Sequence, residues 1–358
     1  HVPFDEGNEL ELGKIKLIPI NTPGHSPDSI CVLIKDENNN DYAIATGDTL
    51  LVGDVGRPDL RESAGLINKS KDDLARMMYN TINSKLLKMP DDLIVYPAHG
   101  AGSLCGKSTS TDTFTTIGKE RKENYALQKM SEQKFVDKLL DDQSFVPKYF
   151  SYDVDMNRKG APDFETGING VKKIESYEQI ENESLVIDTR DRKDFIKSHF
   201  KGAINLMQDK KFETWLGSII SPDEKFYIVT DSSDSLEKII MRIAKIGYEV
   251  NIAGALVHKH IEGLEKSEAI DIEEFKKHTG DFTIVDVRNK SEVDKRKIFS
   301  ESVTIPLPEI RERYSEIPVD KPIIVHCAAG FRSAAASSIL DDLLDVKVFD
   351  LGESIKSF

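Results

Sequence analysis

The sequence predicts a multidomain chain of the α/β and α+β classes, in which a strand-rich first domain precedes two copies of one small parallel α/β domain. Three observations carry this. The second half contains an internal repeat, apolar strands alternate with helices inside each copy, and the first hundred or so residues read as short half-buried strands with few long helices. In the repeat, LVIDTRDRKDFIKSHFKGAINL (185–206) matches TIVDVRNKSEVDKRKIFSESVTIPL (283–307). Further on, FYIVTDSSDSLEKIIMRIAKIGYEV (226–250) matches PIIVHCAAGFRSAAASSILDDLLDVKV (322–348). Each copy offers a strand ending in Asp-x-Arg, then a helix, then a second apolar strand running through a loop into another helix. Asp188 is followed by Asp231 at nearly the spacing that separates Asp286 from Cys327.

In the first domain, Leu10, Leu12, Ile15, Leu17 and Ile18 give the alternation of half-buried strands, and CVLIKD and YAIATGD are short apolar runs closed by turn residues. Leu74, Met77, Met78, Ile82, Leu86 and Leu87 have helical spacing across 72–89, and DDLIVYPAHG (91–100) reads as a buried strand ending in a turn. From Thr113 to about Leu140 the pattern is helical and charged. The Pro-, Asp- and aromatic-rich stretch 141–168 lacks clean periodicity and is expected to be an ordered linker packed on its neighbours. The expected domains are 1–112, a helix and linker over 113–164, a first copy over 165–262 and a second over 268–358.

Composition narrows the function. The 358 residues carry 48 Lys+Arg and 62 Asp+Glu, a net charge of −14. That balance disfavours nucleic acid as main partner, because phosphate contacts need clustered cations. No apolar run is long enough to span a bilayer, and no secretory signal pattern is visible. Three cysteines cannot make a disulfide framework and suit a reducing cytoplasm. The chain opens at His1 in what reads as the middle of a fold, so further sequence is expected upstream.

Cys327 stands out chemically. HCAAGFRSAAASSIL (326–340) places it between an apolar strand and an Ala-rich helix, a position that turns backbone N–H groups and a helix N-terminus toward the sulfur and favours the thiolate. Gly330 permits the tight turn, and Arg332 adds a permanent cation on the loop rim. The expected result is an anion-receptive cradle around a nucleophilic sulfur. At the matching place the first copy has Asp231, which cannot carry sulfur, so that copy is expected to be catalytically silent. His199, His258 and His260 are expected in packing or solvated roles.

Four residues separate Cys327 from Arg332, and this loop resembles the active loop of the rhodanese family of sulfurtransferases, over about 270–358 including Asp286 to Arg288. One departure is Lys297-Ile298-Phe299-Ser300-Glu301, where the family has His-Ile-x-Gly-Ala; the first copy keeps that stretch as Ser198-His199-Phe200-Lys201-Gly202-Ala203. The resemblance implies that Cys327 holds sulfane sulfur as a persulfide.

The first domain carries TPGHSPDS (22–29), ATGDTLLVGDVGRPDL (45–60) and YPAHG (96–100), with His25, Asp48 and His99 each next to Gly at the end of a strand-like run. Residues so placed project into one cleft, and imidazole with carboxylate suits Fe or Zn. These motifs resemble the second half of the metallo-β-lactamase αββα sandwich, whose H-x-H-x-D-H motif would lie upstream of His1. GDVGRPDL, the two rhodanese-like copies and TTIGKERKENYALQ (115–128) are similar to the persulfide dioxygenase branch, in its fusion of dioxygenase, inactive rhodanese and active rhodanese.

The fusion implies one Fe(II) held by His25, Asp48 and a third His upstream, with His99 and Asp59 supporting the ligands. Arg57 and Gly330 are implied to contact substrate. Cys105 lies six residues past His99, and two readings stay open for it: a thiol that reaches the same cleft and contacts substrate, or a bystander in a Gly-rich loop. Cys31, in ICVLI, is expected in the core. The implied chemistry oxidises a low-molecular-weight thiol persulfide with O₂ to sulfite, and passes sulfane sulfur from Cys327 to sulfite as thiosulfate. Self-association is common in such relatives, so a homo-oligomer is expected. Two alternatives stay open: a di-zinc glyoxalase II-like thioesterase fused to a sulfurtransferase, with His99 as ligand, and a sulfurtransferase alone.

Overall fold

The computed structural model describes residues 4–60, 69–100, 103, 105–106, 110–141, 143, 145–259 and 263–358; His260 lies outside them. The chain divides into two compact units, His1–Val146 and Pro147–Phe358.

The first unit is built on a six-stranded sheet in sequence order: β1 (Leu10–Leu12), β2 (Ile15–Asn21), β3 (Ile30–Lys35), β4 (Asp41–Gly47), β5 (Ile94–Pro97) and β6 (Thr115–Thr116). All neighbours are antiparallel except β4 and β5, which run parallel. A parallel step needs a crossover, and the helix Lys71–Ser84 provides it. Ser70 starts that helix with a reciprocal capping box to Asp73, and Leu74, Ala75, Met78 and Ile82 form its buried stripe. Ala75, Met78 and Ile82 of that stripe join Cys31, Ile44, Val95, Ile117, Leu127, Phe135 and Leu139 in one core.

The first compact unit runs to Val146, past the expected domain end at residue 112, because Thr115–Thr116 pairs with β5 and the helices Ile117–Glu123 and Glu132–Leu140 bury their apolar faces in the same core. The stretch expected to be an ordered linker is helical in part. It forms helices Tyr149–Lys159 and Phe164–Asn169, which belong to the second unit. Tyr152 there donates its hydroxyl to the Gly247 carbonyl at 3.2 Å.

The second unit contains two four-stranded, all-parallel sheets of the same design. One has β7 (Leu185–Asp188), β8 (Ile204–Asn205), β9 (Phe226–Thr230) and β10 (Ile252–Val257), ordered β10-β9-β7-β8. The other has β11 (Thr283–Asp286), β12 (Val303–Thr304), β13 (Ile323–His326) and β14 (Val348–Asp350), ordered β12-β11-β13-β14. The near-continuous burial of β9 and β13 is what strands covered on both faces require. In each sheet the chain moves outward to one side and then crosses to the other. The crevice at the carboxyl ends of the two central strands is therefore a topological switch point, where open α/β sheets bind ligands.

The Asp-x-Arg signature is a buried ion pair in both copies. Arg190 is bidentate on Asp188 and Arg288 on Asp286, with closest contacts of 2.6 and 2.5 Å. Each guanidinium also donates to a carbonyl eight residues on, that of Ser198 or Arg296. The pair thus ties the end of a central strand to the end of the following helix.

His326, the last residue of β13, is fully buried, and neither ring nitrogen has a hydrogen bond among the described residues. Its Nε2 lies 3.6 Å from Asp286 Oδ2. Burial pulls its pKa below the ordinary histidine value, against the opposing pull of the Asp286 charge. The unfolded chain therefore takes up this proton first as pH falls, and the folded domain loses stability below the unfolded value of about 6.5, by at most about 1.4 kcal/mol per pH unit. The expected result is a lower melting temperature of this domain at about pH 5.5 than at about pH 7.5, with His326→Phe removing that part of the slope. An unchanged slope in the variant would assign it to other groups.

Candidate functional site

Strand direction alone explains the cleft of the first unit. β2 and β4 are both antiparallel to β3, and β5 is parallel to β4, so the carboxyl ends of all three strands lie at one edge. His25 follows β2, Asp48 directly follows β4, and His99 comes two residues after β5. The Ala98 N–H to Gly47 carbonyl bond of 3.0 Å holds the last two segments side by side.

His99 Nε2 reaches to 3.1 Å from Asp48 Oδ1, and Cys105 completes a set whose ligand atoms lie within 4.8 Å of one another. Sequence reasoning gave His99 a supporting role, and the structure places it beside Asp48. His25 is not a member of that set. Its Nδ1 is 2.8 Å from the Arg57 carbonyl oxygen, the kind of backbone partner that fixes a histidine so that Nε2 is the ligating nitrogen. Gly56 allows these segments to meet, because a Cβ there would come within 2.0 Å of the Asp48 carbonyl oxygen.

Arg57 is 1% exposed, and its guanidinium closes on Asp59 through contacts of 2.8 and 2.5 Å. Its backbone links the cleft, with its carbonyl facing His25 and its N–H donating to the Cys105 carbonyl at 2.9 Å. Burial raises the pKa of the Cys105 thiol; a Ser103 hydrogen bond opposes this and the Asp48 charge adds to it. Cys31 is buried in the core, as expected.

Asp48 Oδ1 is a buried oxygen without a hydrogen bond among the described residues, since His99 is close but not aligned to donate. An acceptor left bare beside an imidazole and a thiol is costly for structure alone and fits a cation. The residues present thus fit a metal of the Fe or Zn type.

In the last domain Cys327 follows β13 at the switch point and is 1% exposed. The Gly330 N–H donates to its Sγ at 3.1 Å, and the Ser333 hydroxyl lies 3.6 Å away. The 13-residue helix Phe331–Leu343 starts directly behind, adding its dipole. Gly330 sits at φ +98°, where a Cβ would also come within 3.1 Å of Gly352 and Glu353 backbone atoms.

Arg332, expected as a permanent cation on the loop rim, is bidentate on Glu292 at 2.5 and 2.8 Å, and its guanidinium stacks over the Trp215 ring, 5.5 Å from the centroid. Glu292 and Trp215 were missed by sequence reasoning. The signal available for Trp215 was that it is the single Trp of the chain.

In the silent copy, Asp231 follows β9 as Cys327 follows β13, and the Ser235 and Ser232 hydroxyls hold its carboxyl below the ordinary range. His199 is stacked on Phe195 and bonded to the Phe195 carbonyl at 2.9 Å; His258 lies 2.6 Å from the Tyr177 hydroxyl.

Comparison with known proteins agrees with this geometry. The rhodanese-like domain family matches residues 173–255 and 271–358. A metallo-β-lactamase structure from Staphylococcus aureus superposes with a TM-score of 0.59 at 29% identity, covering 71% of this chain and 70% of that one. The mitochondrial persulfide dioxygenase ETHE1 of Bos taurus is 28% identical over 139 residues, which is 38% of this chain and 46% of the relative. An uncharacterized protein of Mycobacterium tuberculosis is 33% identical over 127 residues, 35% of this chain and 47% of the relative. The chain spans about half the length of these curated relatives.

The chain joins a metallo-β-lactamase-type unit to rhodanese-like domains. More particularly, the chain is a fusion of a metallo-β-lactamase-fold, ETHE1-like part with two rhodanese-like domains. Among the described residues no helix is long and apolar enough to cross a membrane.

Proposed function

We propose that the chain oxidises a low-molecular-weight thiol persulfide in its first unit and transfers sulfane sulfur through Cys327 in its last domain, with sulfite as acceptor and thiosulfate as product. The observation that carries this reading is the Cys327 sulfur held by the Gly330 N–H at a helix N-terminus. A sulfur so placed can act as nucleophile and keep the added sulfur anionic. The bovine relative's name, persulfide dioxygenase, supports the same substrate class for the first unit.

His25 and Asp48 would hold one Fe(II). When bound, iron would supply the redox chemistry that lets O₂ react with a persulfide. The Arg57 carbonyl orients His25, and the Arg57–Asp59 pair stiffens the turn that presents it. Gly330 keeps the sulfur cradle closed. We place the enzyme in the cytoplasm as a homo-oligomer.

The closeness of His99 to Asp48 favours a second reading, a di-zinc thioesterase in which both bind metal. Metal analysis and oxygen-electrode measurements on the protein separate the two. One iron per chain and persulfide-dependent O₂ uptake that stops on chelation are expected. Two zinc ions per chain, with thioester hydrolysis and no O₂ uptake, would replace the dioxygenase reading.

A further inference from the structure

A cavity of about 370 Å³ opens over Cys327, and its walls come from both copies of the repeat. The last domain contributes Cys327, Glu292 and Arg332; the silent copy contributes Asp209, Lys211 and Trp215. The charges on these walls are unevenly committed. Arg332 is neutralised by its two contacts with Glu292 and sandwiched against Trp215. The Gly330 N–H and the helix N-terminus serve the sulfur itself. The Asp209 carboxylate accepts the Lys211 backbone N–H at 2.8 Å and so shapes the turn that presents the lysine. Lys211 is exposed, and among the described residues no carboxylate forms an ion pair with its ammonium.

We propose that Lys211 of the silent copy binds the anionic sulfur acceptor used by Cys327, which makes the degenerate domain the recognition half of the active site. This rests on the reading of Cys327 as a sulfane-sulfur carrier. In the transfer, the lone pair on the sulfite sulfur attacks the outer sulfur of the Cys327 persulfide anion. A new S–S bond forms, the S–S bond to Cys327 breaks, and its electron pair returns to the thiolate. Sulfite is oxidised to thiosulfate as the persulfide is reduced to the thiolate; no proton or further oxidant is required. A dianion approaching an anionic persulfide is repelled, and a cation on the facing wall offsets that repulsion. With Glu292 and Arg332 paired, Asp209 adds negative charge to the same cavity, so the lysine also decides which acceptors can enter.

The test uses the full chain, preloaded on Cys327 with sulfane sulfur and checked by mass. Discharge is then followed with increasing sulfite or with the neutral thiol dithiothreitol. Lys211→Gln is expected to raise the half-saturating sulfite concentration about tenfold, several times more than it changes the dithiothreitol dependence, and Lys211→Arg to restore most of the loss. An unchanged sulfite dependence, or equal losses with both acceptors, would overturn the assignment while leaving Cys327 as carrier. A wild-type Cys327 that takes up no sulfur would overturn the sulfurtransferase reading and this inference with it.

Discussion

Cys327→Ser is expected to lower thiosulfate formation from a sulfane donor and sulfite by about a thousandfold or more, because the atom that carries the sulfur is gone. The substitution is nearly isosteric in a site that is 1% exposed, so the Gly330 turn and the helix behind it are expected to stay in place. Persulfide-dependent O₂ uptake should stay within about twofold of wild type, since the first unit is a separate compact unit with its own core. Coupled thiosulfate and O₂ assays on one preparation check both halves. Thiosulfate formation that persists unchanged would remove Cys327 from the reaction. A parallel loss of O₂ uptake would contradict the assignment of two independent chemistries.

The second large effect is on stability. Asp286→Ala is expected to destabilise the last domain by about 3–5 kcal/mol, because it strands the Arg288 guanidinium in the interior. Arg288 is 5% exposed, and its three contacts with the Asp286 carboxylate orient the end of β11 beside the end of β13. The same deletion removes the carboxylate that faces His326. Asp188→Ala should do the same to the silent copy, where Arg190 is equally enclosed. The two copies share one compact unit, so a single melting curve would blur them. Hydrogen exchange followed by mass spectrometry reads them apart, with protection lost in β11 and β13 for one variant and in β7 and β9 for the other. A cost below about 1 kcal/mol would mean that the pair contributes little to the fold.

Much of this architecture is legible in the sequence because it is local or repeated. The Asp-x-Arg pairs recur at matching places, and a Cys between an apolar strand and an Ala-rich helix defines its own cradle. The ends of β2, β4 and β5 could be read as converging because each carries Gly beside His or Asp. What stayed hidden depends on long-range contact. Glu292 looks like any helix carboxylate until it meets Arg332 forty residues on. Trp215 and Lys211 lie in the copy whose own site is degenerate, and nothing in their local sequence says that they border Cys327. Helices 117–123 and 132–140 are amphipathic, but amphipathicity does not name the core that receives the apolar face, so nothing local in them points to the core of the first unit.

The central claim is that the cradle after β13 makes Cys327 a carrier of sulfane sulfur. Intact-protein and peptide mass spectrometry after brief exposure to a sulfane donor, with the excess removed, tests it directly. The account predicts a gain of about 32 Da on the peptide containing Cys327, reversed by sulfite and absent from Cys31. A folded protein whose Cys327 peptide keeps its original mass would contradict it.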